Sequence, residues 1–113
     1  MDDEQKEFKI IITQTAEKAY LKLIDYLFYN YSSERAIEIA NEILLEPLLL
    51  KKFPERGKIE PYLEHKIQVF RFLLYKRSNS ATVKIVYYIN ESDRSVYITD
   101  FFPTEMSPSK MDK

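Results

Sequence analysis

Glycine is the scarcest of the common residues in this 113-residue chain, with Gly57 the single example, and cysteine and tryptophan are absent. Phosphate-cradling loops and dinucleotide fingerprints need several glycines so that backbone amides can approach phosphate, and neither fits here. The lack of cysteine removes disulfides, thiolate zinc sites and cysteine nucleophiles together, which suits a reducing compartment. Histidine is almost missing too. His65 stands alone, and no His, Asp and Glu set has the spacing of a metal site, so the sequence implies no metal and no cofactor. Long apolar runs are also wanting: the richest, EILLEPLLL at 42–50, is interrupted by Glu46 and Pro47 and falls well short of the ~20 residues of a membrane span. The opening MDDEQKE is acidic where a secretory leader is basic, so the expectation is a soluble, cytoplasmic protein.

Aromatic residues are plentiful. Nine Tyr and seven Phe are more than a small core hides, and exposed rings are enriched at partner surfaces. The net charge of −1 conceals an uneven distribution: positions 51–84 hold nine Lys or Arg against three Glu, a local +6, which leaves −7 elsewhere. Such a split marks either a polyanion-facing patch or a well-solvated connector. On the first reading Lys51, Lys52 and Arg77 are the candidates to hold phosphate.

The length fits one domain, spanning 8–103 between a flexible tail at 1–7 and a second at 104–113. EFKIIIT (7–13) reads as a strand, with Thr13 placed to cap the next element. From Gln14 the period changes, with Ala16, Tyr20, Leu23, Ile24, Leu27, Phe28 and Tyr31 recurring at helical steps. NYSS breaks that helix, and a second carries Ala36, Ile37, Ala40, Ile43 and Leu44 on one face, ending or kinking near Glu46 because Pro47 lacks an amide. After a basic connector, the segments 65–75, 81–89 and 94–102 are β-branched and aromatic, parted by polar turn clusters. The expected fold is α+β, in the order β-α-α-β-β-β, with a helical hairpin packed on one face of a small, mainly antiparallel sheet. On 65–75 the all-apolar alternate set Phe70, Phe72 and Leu74 is expected to meet the helices. Arg71 then shares the opposite face with Lys84 and Tyr88. The final strand reads as an edge strand.

The order of elements, FPERG (53–57) after the second helix, VFRFLLY (69–75), KIVYYINE, and the closing VYITDFF with Pro108, Lys110 and Met111 together resemble the RelE/ParE superfamily of bacterial type II toxins over about residues 8–111. The resemblance implies a RelE/ParE-like fold and a plasmid-stabilisation toxin neutralised by a cognate antitoxin. A homodimer and a toxin–antitoxin hetero-oligomer both stay open. RelE-like members cleave mRNA on the ribosome, whereas ParE-like members share the fold, inhibit DNA gyrase and are not nucleases.

Metal-free RNA cleavage needs a group to take the 2′-hydroxyl proton, one to stabilise the phosphorane and one to protonate the leaving oxygen. Arg71, Lys84 and Tyr88 are the candidates, Arg71 because guanidinium matches phosphate with a fork of donors. Against that reading, Asp100-Phe101-Phe102-Pro103 closes the last strand where ribosome-dependent relatives usually place His, Arg or Tyr. A sequence pI of about 5.9 is also poor for docking on RNA. The Pro-x-Lys-Met tail points toward the ParE-like branch, although Glu105 stands where those members carry an arginine. The sequence therefore leans away from an enzyme and toward binding, with Tyr97, Phe101, Phe102, Glu105, Pro108, Lys110 and Met111 as partner-contacting candidates. A ribosome-dependent endonuclease and a non-toxic interaction module are the alternatives.

Overall fold

In the computed structural model, which describes residues 7–78 and 81–104, the chain runs β1 (Lys9–Ile12), α1 (Gln14–Asn30), α2 (Ser33–Leu45), β2 (Lys58–Ile59), β3 (Arg71–Ser78), β4 (Ala81–Asn90) and β5 (Ser95–Pro103). Each helix starts at the residue whose side chain satisfies an orphan amide: Thr13 accepts from Ala16 N–H at 3.1 Å and Ser32 from Arg35 N–H at 3.2 Å. Helix α2 ends at Leu45 with Glu46 as its C-cap, where the sequence places its end, and Pro47 is the second residue of a 3-10 turn over Glu46–Leu50. Two further 3-10 turns, Pro54–Arg56 and Pro61–Leu63, begin at proline, whose fixed φ suits a first helical position.

The strands form one five-stranded sheet in the order β1-β5-β4-β3-β2, with β1 parallel to β5 and every other pair antiparallel. The helical hairpin buries Ala16, Leu23, Leu27, Ala36, Ile39 and Ile43 in one core with the strand residues Val83, Ile85, Tyr87, Val96, Ile98 and Phe101. Full burial of each large apolar side chain contributes roughly 1.5–3 kcal/mol, so this layer contact carries the fold. The two-layer α+β architecture expected from the sequence is what is found. The apolar stripes are narrower than expected, however: Phe28, Ile37 and Leu44 stay exposed at the helix flanks.

Three sequence expectations are corrected. The strand placed at 65–75 begins only at Arg71 and continues to Ser78, and a two-residue strand, β2, sits inside the basic connector. The last strand is not at the edge: β5 lies between β1 and β4, and Val96, Ile98, Phe101 and Phe102 along it are all buried. The assignment of faces on β3 is inverted. Arg71 pairs with Tyr87, Leu73 with Ile85 and Tyr75 with Val83, which puts Arg71, Leu73 and Tyr75 on the helix side. Phe72, opposite Val86, and Leu74, opposite Lys84, are on the other face. A register shift between Lys76 and Ser78 is the cause, because one inserted residue exchanges the two faces of a strand.

Candidate binding face

The sheet face away from the helices carries Phe70, Phe72, Lys84, Tyr88, Tyr97 and Phe102, held there by the alternation of β3, β4 and β5. Tyr88 and Tyr97 are direct cross-strand partners, stacked with centroids 5.2 Å apart and planes 17° apart. Phe70 meets Tyr88 edge-on at 5.6 Å. Cross-strand aromatic pairs of this kind contribute about 0.5–1.5 kcal/mol beyond burial, so the row is a stiff surface. Tyr97 also donates to Asp93 Oδ2 at 2.8 Å, and that bond to a carboxylate raises its pKa above the ordinary phenol value. It is a neutral group at physiological pH and a poor base.

Beside this row the connector folds over the face. Glu60 is fully buried there; its Oε1 accepts from Lys84 Nζ at 2.9 Å and its Oε2 from Tyr62 N–H at 2.9 Å. The Lys84 ammonium also lies 4.4 Å from the Phe72 ring centroid and 5.5 Å from that of Tyr62, both within cation–π range. Val86 and Phe102 are buried on this side, outside the helix-packed core. Lys84 is therefore desolvated and neutralised by Glu60, and its charge is spent within the fold.

Arg71 is on the other face. Its Nη1 donates to Gly57 O at 3.0 Å and to Glu55 O at 3.4 Å, clamping the FPERG loop against the sheet edge. The Tyr87 hydroxyl completes the clamp, accepting from Gly57 N–H at 3.0 Å and donating to Pro54 O at 2.7 Å. Burial, foremost, pushes the Tyr87 phenol up. The three residues considered for RNA cleavage thus do not converge: Lys84 and Tyr88 share a face and Arg71 does not.

The remaining sequence candidates are dispersed. Phe101 lies in the helix-packed core against Tyr20, with centroids 5.4 Å apart, and Phe102 is buried on the opposite face, so neither presents its ring outward. Tyr97 is half-buried on the aromatic row. Lys51 is half-buried, with its carbonyl accepting from Phe8 N–H at 2.8 Å, and Lys52 is exposed beside it. Glu105, Pro108, Lys110 and Met111 lie outside the described residues, as does the side chain of Arg77. Sequence reasoning missed Glu60, whose signal was only its place among cations, and the outward apolar residues of the hairpin, Leu21, Phe28, Ile37, Leu44 and Leu45. It also missed the Tyr87 hydroxyl as the anchor of the FPERG loop, although alternation along the strand groups Tyr87 with Val83 and Ile85.

No protein-family model matches the chain, and no curated protein is significantly similar to it. Among the described residues no helix is long and apolar enough to cross a membrane.

Proposed function

We propose that this chain is the toxin of a type II toxin–antitoxin pair, nearer the ParE-like branch, acting by binding a cellular target such as DNA gyrase and silenced by a cognate antitoxin. The observation that carries the preference for binding over cleavage is the separation of Arg71 from Lys84 and Tyr88. A phosphorane needs a cation and a proton-transfer group at one point. Here one cation clamps a loop on one face and the other is neutralised by Glu60 on the opposite face. The observed order, the expected β-α-α-β-β-β with the two-residue β2 inserted after the helices and β1 added parallel to the last strand, supports the resemblance that suggests a toxin.

Induction of the chain alone in a bacterial host, followed by growth, supercoiling and transcript-end mapping, tests the reading. Growth arrest with altered plasmid supercoiling and intact transcripts is the expected result. Cleavage at A-site codons would instead establish the ribosome-dependent nuclease, and unimpaired growth would establish an interaction module without toxicity.

A further inference from the structure

Both helices of the hairpin carry apolar side chains that the sheet does not cover. On α1 the buried stripe is Ala16, Leu23 and Leu27. Leu21 stands about 200° round the helix from Leu23, and Phe28 follows two turns after Leu21 on the same side. These two are 57% and 43% exposed. On α2 the corresponding pair is Ile37 and Leu44, also two turns apart and exposed. The Tyr20 hydroxyl donates to Ala40 O at 2.9 Å across the seam, which fixes the register of the antiparallel hairpin. It sets the midpoint of Ile37 and Leu44, between Ala40 and Asn41, beside Leu21 on the neighbouring helix. The four side chains therefore form one patch along the outer side of the seam. Charge flanks it on α1, where Gln14, Lys18, Leu21, Asp25 and Phe28 recur at alternating steps of four and three, the spacing of a helix that packs on another helix. Lys18 and Asp25 are exposed, and neither side chain has an ion pair or hydrogen bond among the described residues.

From this arrangement we infer that the outer face of the hairpin is the interface of a homodimer, a second copy of the chain docking on it through a twofold axis. Such a contact requires the patch to complement itself. An axis that crosses α1 between Leu21 and Lys22, perpendicular to the helices, lays α1 antiparallel on its copy. Leu21 then meets Leu21 of the second copy. Lys18 and Asp25 lie equally far from the axis on either side, so Lys18 meets Asp25 of the second copy, and Asp25 meets its Lys18. The same axis crosses α2 between Ala40 and Asn41, where Ile37 of one copy meets Leu44 of the other. One symmetry operation thus satisfies the charges on the first helix and the apolar pair on the second, in the register that the Tyr20–Ala40 bond imposes. The two hairpins then form a four-helix layer between two sheets. Positions 14–45 hold three cations against five carboxylates, a balance that disfavours an anionic membrane or another polyanion as the occupant. The inference does not rest on the toxin reading, which makes no use of this face.

The test is sedimentation velocity and light scattering of the full chain from low to high micromolar concentration. The parent is expected to move from the 13.5 kDa of one chain to twice that mass. Lys18→Asp sets two carboxylates against each other at both ends of the α1 contact, and Asp25→Lys sets two cations there. Each variant alone is expected to weaken self-association about tenfold. Mixed in equal amounts, the two variants are expected to recover a dimer as tight as the parent's, because every charge again meets its opposite. Leu21→Asp is expected to leave a monomer. All three positions are exposed, so the variants fold, and a circular-dichroism melt of each at low concentration checks it. A parent that keeps the mass of one chain, which would leave the face to an unlike partner, would overturn the inference. So would a dimer untouched by Leu21→Asp, or single charge reversals that associate as tightly as their mixture.

Discussion

The lone glycine offers the sharpest test of how this domain is held together. Gly57 has φ −77° and ψ 160°, extended backbone open to any residue, so what bars a side chain is space rather than conformation. A Cβ at this position would come within 2.6 Å of the Phe72 carbonyl oxygen and 2.9 Å of the Tyr87 ring, and closer still to the Tyr87 hydroxyl. None of these neighbours can yield cheaply, since one is backbone and the tyrosine is fully buried. Gly57→Ala must therefore push the FPERG loop off the sheet. That movement breaks the Gly57 N–H bond to Tyr87 and the Arg71 bond to Gly57 O. Overpacking costs about 1–3 kcal/mol and each of the two lost hydrogen bonds about 1 kcal/mol, so the expected loss is roughly 3–5 kcal/mol. For a domain of this length 1 kcal/mol moves Tm by about 4 °C, which predicts a drop of about 12–20 °C in a circular-dichroism melt.

A double-mutant cycle separates the clash from the bonds. Tyr87→Phe alone leaves Gly57 N–H and Pro54 C=O without their partner, at about 1–3 kcal/mol. In the Gly57→Ala background the same change removes one of the clashing atoms, so the double variant should be about 1 kcal/mol more stable than the sum of the singles. A Gly57→Ala protein that melts within about 2 °C of the parent, or strictly additive losses, would refute the close-packing argument.

Two more predictions concern buried polar groups. Lys84→Met strands the buried Glu60 carboxylate and should lower stability in urea by about 3 kcal/mol, while adding Glu60→Gln should restore most of it; equal midpoints for parent and single variant would show that the pair is idle. Burial raises the phenol pKa of Tyr87 and of Tyr20, so their contribution is full below the ordinary value near 10 and is lost as pH rises through the higher folded value. Stability should fall above about pH 10, and Tyr87→Phe should make that fall shallower by up to one proton in a pH series of urea melts.

Much of the fold was legible because its signals are local. Thr13 announces the first helix, the NYSS break parts it from the second, Pro47 ends the second, and β4 alternates cleanly, so Val83, Ile85 and Tyr87 could be assigned to one side from spacing alone. β5 was misplaced because position in the chain was taken for position in the sheet. From Val96 to Pro103 every residue is buried or half-buried, which is what a strand flanked on both sides looks like. The site was far less legible. Over 69–75 both alternate sets are apolar apart from Arg71, so a single cation decided which set faced solvent.

That decision turned on one residue of register. Ser78 pairs with Ala81; had the ladder continued from there without a shift, Arg71 would stand opposite Tyr88 and share its face with Lys84. The shift between Lys76 and Ser78 moves Arg71 opposite Tyr87 instead. A cation on the helix side is tolerable only because the Gly57 and Glu55 carbonyls receive it, and they do so because the one glycine lets the loop come close to Phe72 and Tyr87. The bulge and the glycine thus act together: the first turns Arg71 inward, and the second provides its acceptors. A candidate catalytic arginine becomes a loop clamp through those two features, neither of which carries any catalytic chemistry of its own.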